Sequence, residues 1–201
     1  AGPSEAIVYA DDSVSARLAV TDLLIEAEHG PDSSAFLVTT SESMARACLK
    51  IAPDLISSLP PVRREFCETV LSESGGIVLA KNPDDAIDFI NGFAPEHLQL
   101  LVDSPEDVLD RIKTAGEVLI GRWTPGTLAN YSIGPNAILP TSGFARTSSA
   151  LSVRDFVRKM SYSIVDEKGF RSLAPKTLTL AEYEGFPAHA RALSYRLDDL
   201  D

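Results

Sequence analysis

The chain has 201 residues, 44% of them hydrophobic and 23% charged, a globular balance that excludes gross disorder and suggests one domain, or one plus an appendage. Eighteen basic residues against 29 acidic ones leave a net charge of −11, which argues against nucleic-acid binding through a basic surface. No apolar run nears the roughly 20 residues of a membrane span, and Cys48 and Cys67 match no metal-knuckle or CxxC spacing, which points to a reducing, cytoplasmic setting.

The chain opens on Ala1-Gly2-Pro3-Ser4-Glu5, without an initiator Met or signal peptide, and reads as one entered in mid-domain. Residues 6–10 form the first expected strand. Asp11, Asp12 and Ser13 supply capping chemistry for a helix over about 14–29, which Gly30-Pro31 ends. A second strand follows at 35–38, then a helix capped by Ser41 to about residue 51. Pro60-Pro61 precedes a further helix at about 62–71. Gly75-Gly76 introduces a strand at 77–80, and Asn82 caps a helix to about 91. Residues 97–102 read as a strand, 104–115 as a helix capped by Ser104, and 118–120 as a fifth strand. Strands separated by helices imply a parallel, doubly wound α/β sheet, because parallel neighbours need crossover connections. Residues 132–151, rich in Gly, Pro, Ser and Thr, resemble a functional loop. A domain boundary is placed near residue 150, followed by a helix at about 153–160 and helical segments from about 178 onward.

Three histidines carry the candidate chemistry. Glu26 and His29 stand at i, i+3 on one helix face, a spacing that can bind a divalent cation and that surface helices also carry by chance. Glu96-His97 sits where a helix has stopped and a strand begins. A carboxylate beside an imidazole suits general acid/base work, but open α/β sheets usually place active sites at the other, C-terminal strand edge. His189 lies in the terminal appendage, where a surface histidine usually has no role. The chain has no GxGxxG, no Walker phosphate loop and no GxSxG around Ser4. Trp123 and Tyr131 are too isolated to stack bases, and Arg146, Arg154, Arg158 and Lys159 read as a solvated basic cluster.

Several segments together resemble the histidinol dehydrogenase family, over residues 1 to about 196. They are Ala1-Gly2-Pro3-Ser4-Glu5, Ala27-Glu28-His29-Gly30-Pro31-Asp32-Ser33, Phe93-Ala94-Pro95-Glu96-His97-Leu98, Gly134-Pro135-Asn136, Leu139-Pro140-Thr141, Leu151-Ser152-Val153 and Thr179-Leu180-Ala181-Glu182. The resemblance implies an incomplete Rossmann-like parallel sheet with flanking helices and a small C-terminal helical appendage, residues 151–201, swapped between the subunits of a homodimer. It implies a zinc- and NAD-dependent enzyme that oxidises an amino alcohol, L-histidinol, to the acid in two steps. Glu96 and His97 would be the catalytic pair, with His97 as general base and Glu96 activating water. Glu26, His29, Asn130 and His189 would hold the metal, and Ser4 and Glu184 would contact substrate. The dinucleotide segment is expected upstream of Ala1, so the chain alone is expected to be inactive.

Three departures bear on that reading. The family carries Gln at Glu26 and Asp at Asn130, an exchange that keeps two imidazoles, one carboxylate and one amide in the ligand set and so conserves its charge. Where the family carries His, this chain has Ala137, which removes a polar substrate partner. Two alternatives follow: a paralogous dehydrogenase of another small polar alcohol or sulfonated diol, and a catalytically inactive α/β binding module.

Overall fold

The computed structural model describes residues 3–200; Ala1 and Gly2, which open the first motif, and Asp201 lie outside the described residues. The chain forms two compact units, one ending at Phe156 and the other starting at Val157. Among the described residues no helix is long and apolar enough to cross a membrane.

The first unit is built on a five-stranded parallel sheet. Its strands are β1 (Glu5–Ala10), β2 (Ser34–Thr39), β3 (Gly75–Leu79), β4 (His97–Leu101) and β5 (Glu117–Ile120), in the order β3-β2-β1-β4-β5. Helices α1 (Ala16–Ala27), α2 (Glu42–Ser57), α3 (Pro61–Glu73), α4 (Pro83–Phe93), α5 (Pro105–Leu109) and α6 (Gly126–Tyr131) connect or flank them. Side chains alternate across β1. Val8 and Ala10 join Leu23, Leu24, Met44 and Val70 beneath α1–α3, while Ile7 and Tyr9 join Ile87, Ile90 and Leu98 beneath α4. Burial on both faces is why the inner strands read as near-continuous apolar runs. Phe36 meets Phe89 and Phe93 edge-on, with ring centroids 5.6 and 5.4 Å apart. Cys48 and Cys67 are free, buried thiols that burial pushes up to about 11.

Several elements differ from expectation for identifiable reasons. Ser15, not the preceding Asp-Asp-Ser, caps α1 by accepting from Leu18 N; Asp11 instead accepts from Ser13 N and Asp103 N. Helix α2 continues past Pro53 to Ser57, because Leu55 and Ile56 still pack against the core. Gly75 and Gly76 lie inside β3 rather than before it. Helix α5 stops at Leu109 rather than near 115, where Lys113 N and Thr114 Oγ1 turn to Asn91 Oδ1 and the Asn91 carbonyl. Residues 153–160 do not form an α-helix: only Val153–Phe156 makes a single 3₁₀ turn, and Val153, Phe156 and Met160 are exposed.

The second unit contains the antiparallel hairpin of α7 (Glu167–Tyr183) and α8 (Pro187–Asp198). Gly185, at φ 73°, closes α7: Gly185 N donates to the Glu182 carbonyl and Phe186 N to that of Ala181, both at 3.0 Å. This paired bonding caps the helix and needs a left-handed residue at 185.

Candidate active site at the N-terminal edge of the sheet

The parallel register brings the first residues of three strands to one edge. Ala6 pairs with His97, and His97 with Glu117, so Ser4, Glu96-His97 and Glu117 gather beside the last turn of α1, which brings Glu26 and His29. The turn into β4 is tight. Ala94 adopts φ 59° at the end of α4, and Pro95 then sends the chain into the strand. Gly116 makes room opposite, since a Cβ there would lie 2.7 Å from the Glu96 carbonyl oxygen.

Ser4, Glu26, Glu96 and His97 are all buried. Ser4 Oγ lies 2.8 Å from Glu26 Oε2 and 3.1 Å from Glu96 Oε2, bridging the two carboxyl groups. Glu5 N donates to Glu96 Oε2 at 3.3 Å. His97 Nε2 faces Glu96 Oε1 at 3.7 Å and Glu26 Oε1 at 4.0 Å, and its Nδ1 lies 3.3 Å from Glu117 Oε2. His29 Nδ1 lies 2.9 Å from the Ile25 carbonyl and 3.2 Å from Glu26 Oε2. The carbonyl can only accept, so His29 Nδ1 is the donor, which leaves Nε2 as the ring nitrogen open to a ligand.

Burial raises the Glu96 carboxyl above its ordinary range. His97, the Ser4 hydroxyl and the Glu5 amide oppose the rise, and the Glu26 charge adds to it. Among the described residues, the ion-pair partners of Glu26, Glu96 and Glu117 are all histidines. Three carboxylates in a low-dielectric setting, with no Lys or Arg against them, form a site suited to a proton or a cation.

The residues singled out in the sequence divide between the two units. Ser4, Glu26, His29, Glu96 and His97 come together. Asn130 is half-buried on α6, one turn after Gly126, which faces Glu26 across a small cavity; among the described residues no hydrogen bond joins Asn130 to Glu26 or His29. Beside His29 lies a cavity of about 270 Å³ lined by Glu28, His29, Arg63 and Tyr131. Glu184 and His189, both exposed, line one apolar groove of the second unit with Phe186, whose ring is 5.2 Å from that of His189. Among the described residues no three His, Cys, Asp or Glu side chains form a metal cage. Glu117 was missed. It sits one residue before the expected strand, and only the register shows that this charged residue stands opposite His97.

Comparisons with known proteins agree with this architecture. The family model for histidinol dehydrogenase matches residues 1–197. The chain is 49% identical to the histidinol dehydrogenase of Synechocystis over 98% of its own length, and 50% identical to a histidinol dehydrogenase homolog of Colwellia psychrerythraea over 99%. It spans 45% of the length of each. The crystal structure of histidinol dehydrogenase from Elizabethkingia anophelis superposes with a TM-score of 0.91 at 37% identity, covering 100% of this chain and 46% of that one. The family model, the sequence identities and the superposition agree, and the chain belongs to the histidinol dehydrogenase family.

Proposed function

We propose that this chain carries the acid/base and metal-ligating part of a zinc- and NAD-dependent dehydrogenase that oxidises a small polar amino alcohol, L-histidinol, to the acid in two steps. The observation that carries the reading is the buried cluster of Ser4, Glu26, Glu96 and His97, with half-buried Glu117 beside it and His29 at its rim. His97 takes the substrate hydroxyl proton at Nε2, while Glu117 holds the proton on Nδ1 and keeps the ring in that tautomer. Glu96, with its carboxyl raised by burial, accepts the proton of the water that attacks in the second oxidation. Ser4, between the two carboxyl groups, contacts the substrate.

The donor set fits a divalent cation. Uncompensated carboxylate charge surrounds Glu26, and His29 offers a free Nε2 while its Nδ1 is anchored on a backbone carbonyl, as metal-bound imidazoles usually are. Glu26, His29 and Asn130 would hold zinc together with His189 from a second copy of the chain. When bound, zinc polarises the substrate oxygen and NAD accepts the hydride.

A second reading, a paralogue acting on another polar alcohol or a sulfonated diol, is favoured by Ala137 and by Arg63 beside His29. NAD reduction is measured on an enzyme of full family length carrying this sequence, with histidinol and with a panel of polar and anionic diols. Turnover of histidinol supports the first reading, and turnover of a diol alone supports the second. No turnover of any substrate by a metal-loaded preparation refutes both.

A further inference from the structure

Between α1, α6 and the sheet lies a cavity of about 20 Å³, lined by Asp22, Glu26, His97, Gln99, Leu119 and Gly126 among others. Gln99 follows His97 by two residues on β4, so both side chains leave the same face of the sheet. It is 5% exposed, and its Nε2 donates to the Gly121 carbonyl at 3.1 Å, which fixes the orientation of the amide. Gln99 Oε1 and Glu26 Oε1 are buried and have no hydrogen-bond partner among the described residues. The second Glu26 oxygen is already held by Ser4.

Gly126 borders the same space. A Cβ there would stand 3.5 Å from Glu26 Oε1, 3.7 Å from Ile25 Cγ2 and 3.8 Å from Leu119 Cδ1. The room left by the missing methyl therefore faces the unpartnered oxygen. A water molecule needs roughly 10–15 Å³ and a few polar partners, and the cavity supplies both. Water also brings two hydrogens to two acceptors.

We propose that this cavity is a built hydration site, in which one ordered water donates to Gln99 Oε1 and to Glu26 Oε1 while Gly126 leaves it room. The water joins Gln99 to Glu26, which is then held through both oxygens. Asp22 lines the same space half-buried; burial alone pushes its carboxyl up to about 6, so no hydrogen bond of its own offsets that burial. The site goes beyond the proposed reaction and does not depend on it.

A high-resolution crystal structure tests the site directly, with a peak expected about 2.8 Å from both oxygens. No peak between them, or a Gln99 amide turned away, overturns the proposal. Gly126→Ala is the second test, since its methyl meets protein atoms at ordinary contact distance but occupies the place of the water. The expected result is a melting temperature lower by roughly 3–8 °C, with a smaller drop when Gln99→Met has already removed one acceptor. A Gly126→Ala protein as stable as its parent, or more so, overturns the proposal, because filling a dry hole is stabilising. Equal drops in the parent and in the Gln99→Met background overturn it as well.

Discussion

Ser4 lies between two carboxyl groups, and Ser4→Ala removes the donor from both. The hydroxyl has one hydrogen for Glu26 Oε2 at 2.8 Å and Glu96 Oε2 at 3.1 Å, so one charge-assisted bond is lost at high pH. Such a bond is worth about 1.5–3 kcal/mol. The Glu5 amide remains on Glu96 and the His29 ring beside Glu26, which places the expected loss near ~2 kcal/mol. The loss depends on pH with a definite sign. Glu96 has a raised carboxyl, so its contribution to stability is complete below its unfolded pKa and is lost as pH rises through the folded value. Ser4 opposes that rise, and its removal moves the folded value further up. The gap between variant and parent should therefore narrow as pH falls below the folded Glu96 value and widen as pH rises above it. Urea unfolding followed by far-UV circular dichroism across this window reads the gap. A loss of the same size at both ends would refute the reasoning, as would a gap below about 0.5 kcal/mol at the alkaline end.

Three further outcomes are expected. Asp22→Asn should stabilise the protein at about pH 8 by ~1–2 kcal/mol, a figure reduced for the partial exposure of Asp22. Because its folded value is raised from 3.8 to about 6, the cost of Asp22 is absent below the former, grows between the two and is complete above the latter, so a constant difference across that range contradicts it. Gly116→Ala should cost about 2 kcal/mol, since the new methyl meets the Glu96 backbone carbonyl at 2.7 Å, and an unchanged melting temperature would show that β5 can move aside. In the active enzyme, Glu117→Ala should lower kcat by ~10–100-fold with little change in KM, and Glu117→Gln should recover part of the loss by still accepting from Nδ1. Equal kcat in all three proteins would remove Glu117 from the site.

Much of the sheet was legible because its buried strands are short apolar runs between capping residues, and β1, β2 and β4 fall within a residue or two of where these cues put them. The 153–160 segment failed for the complementary reason. Val153, Phe156 and Met160 have apolar spacing, but periodicity builds a helix only where a core receives the apolar face, and these side chains are exposed. Helix α6 escaped notice because six residues of Gly, Thr, Leu, Ala, Asn and Tyr carry too little periodicity to read. The site was legible as a set of residue types but not as a place. The strand N-terminus counts mildly against Glu96-His97 as a site in the sequence, and only the register shows that the flanking strands bring carboxylates to that same edge. Glu117 and Gln99 become visible only once strand neighbours are known, because their partners are far away in sequence.

The pairing of His97 with Glu117 ties this buried side-chain contact to the zipping of the sheet. A slip of β5 by one residue would set Gly116 or Val118 opposite His97, turn every β5 side chain to the other face and leave the imidazole without its carboxylate. Misregistered conformers of this chain thus cannot assemble the His97–Glu117 contact, however compact they are. Formation of the His97–Glu117 contact would report a correctly registered β4–β5 edge.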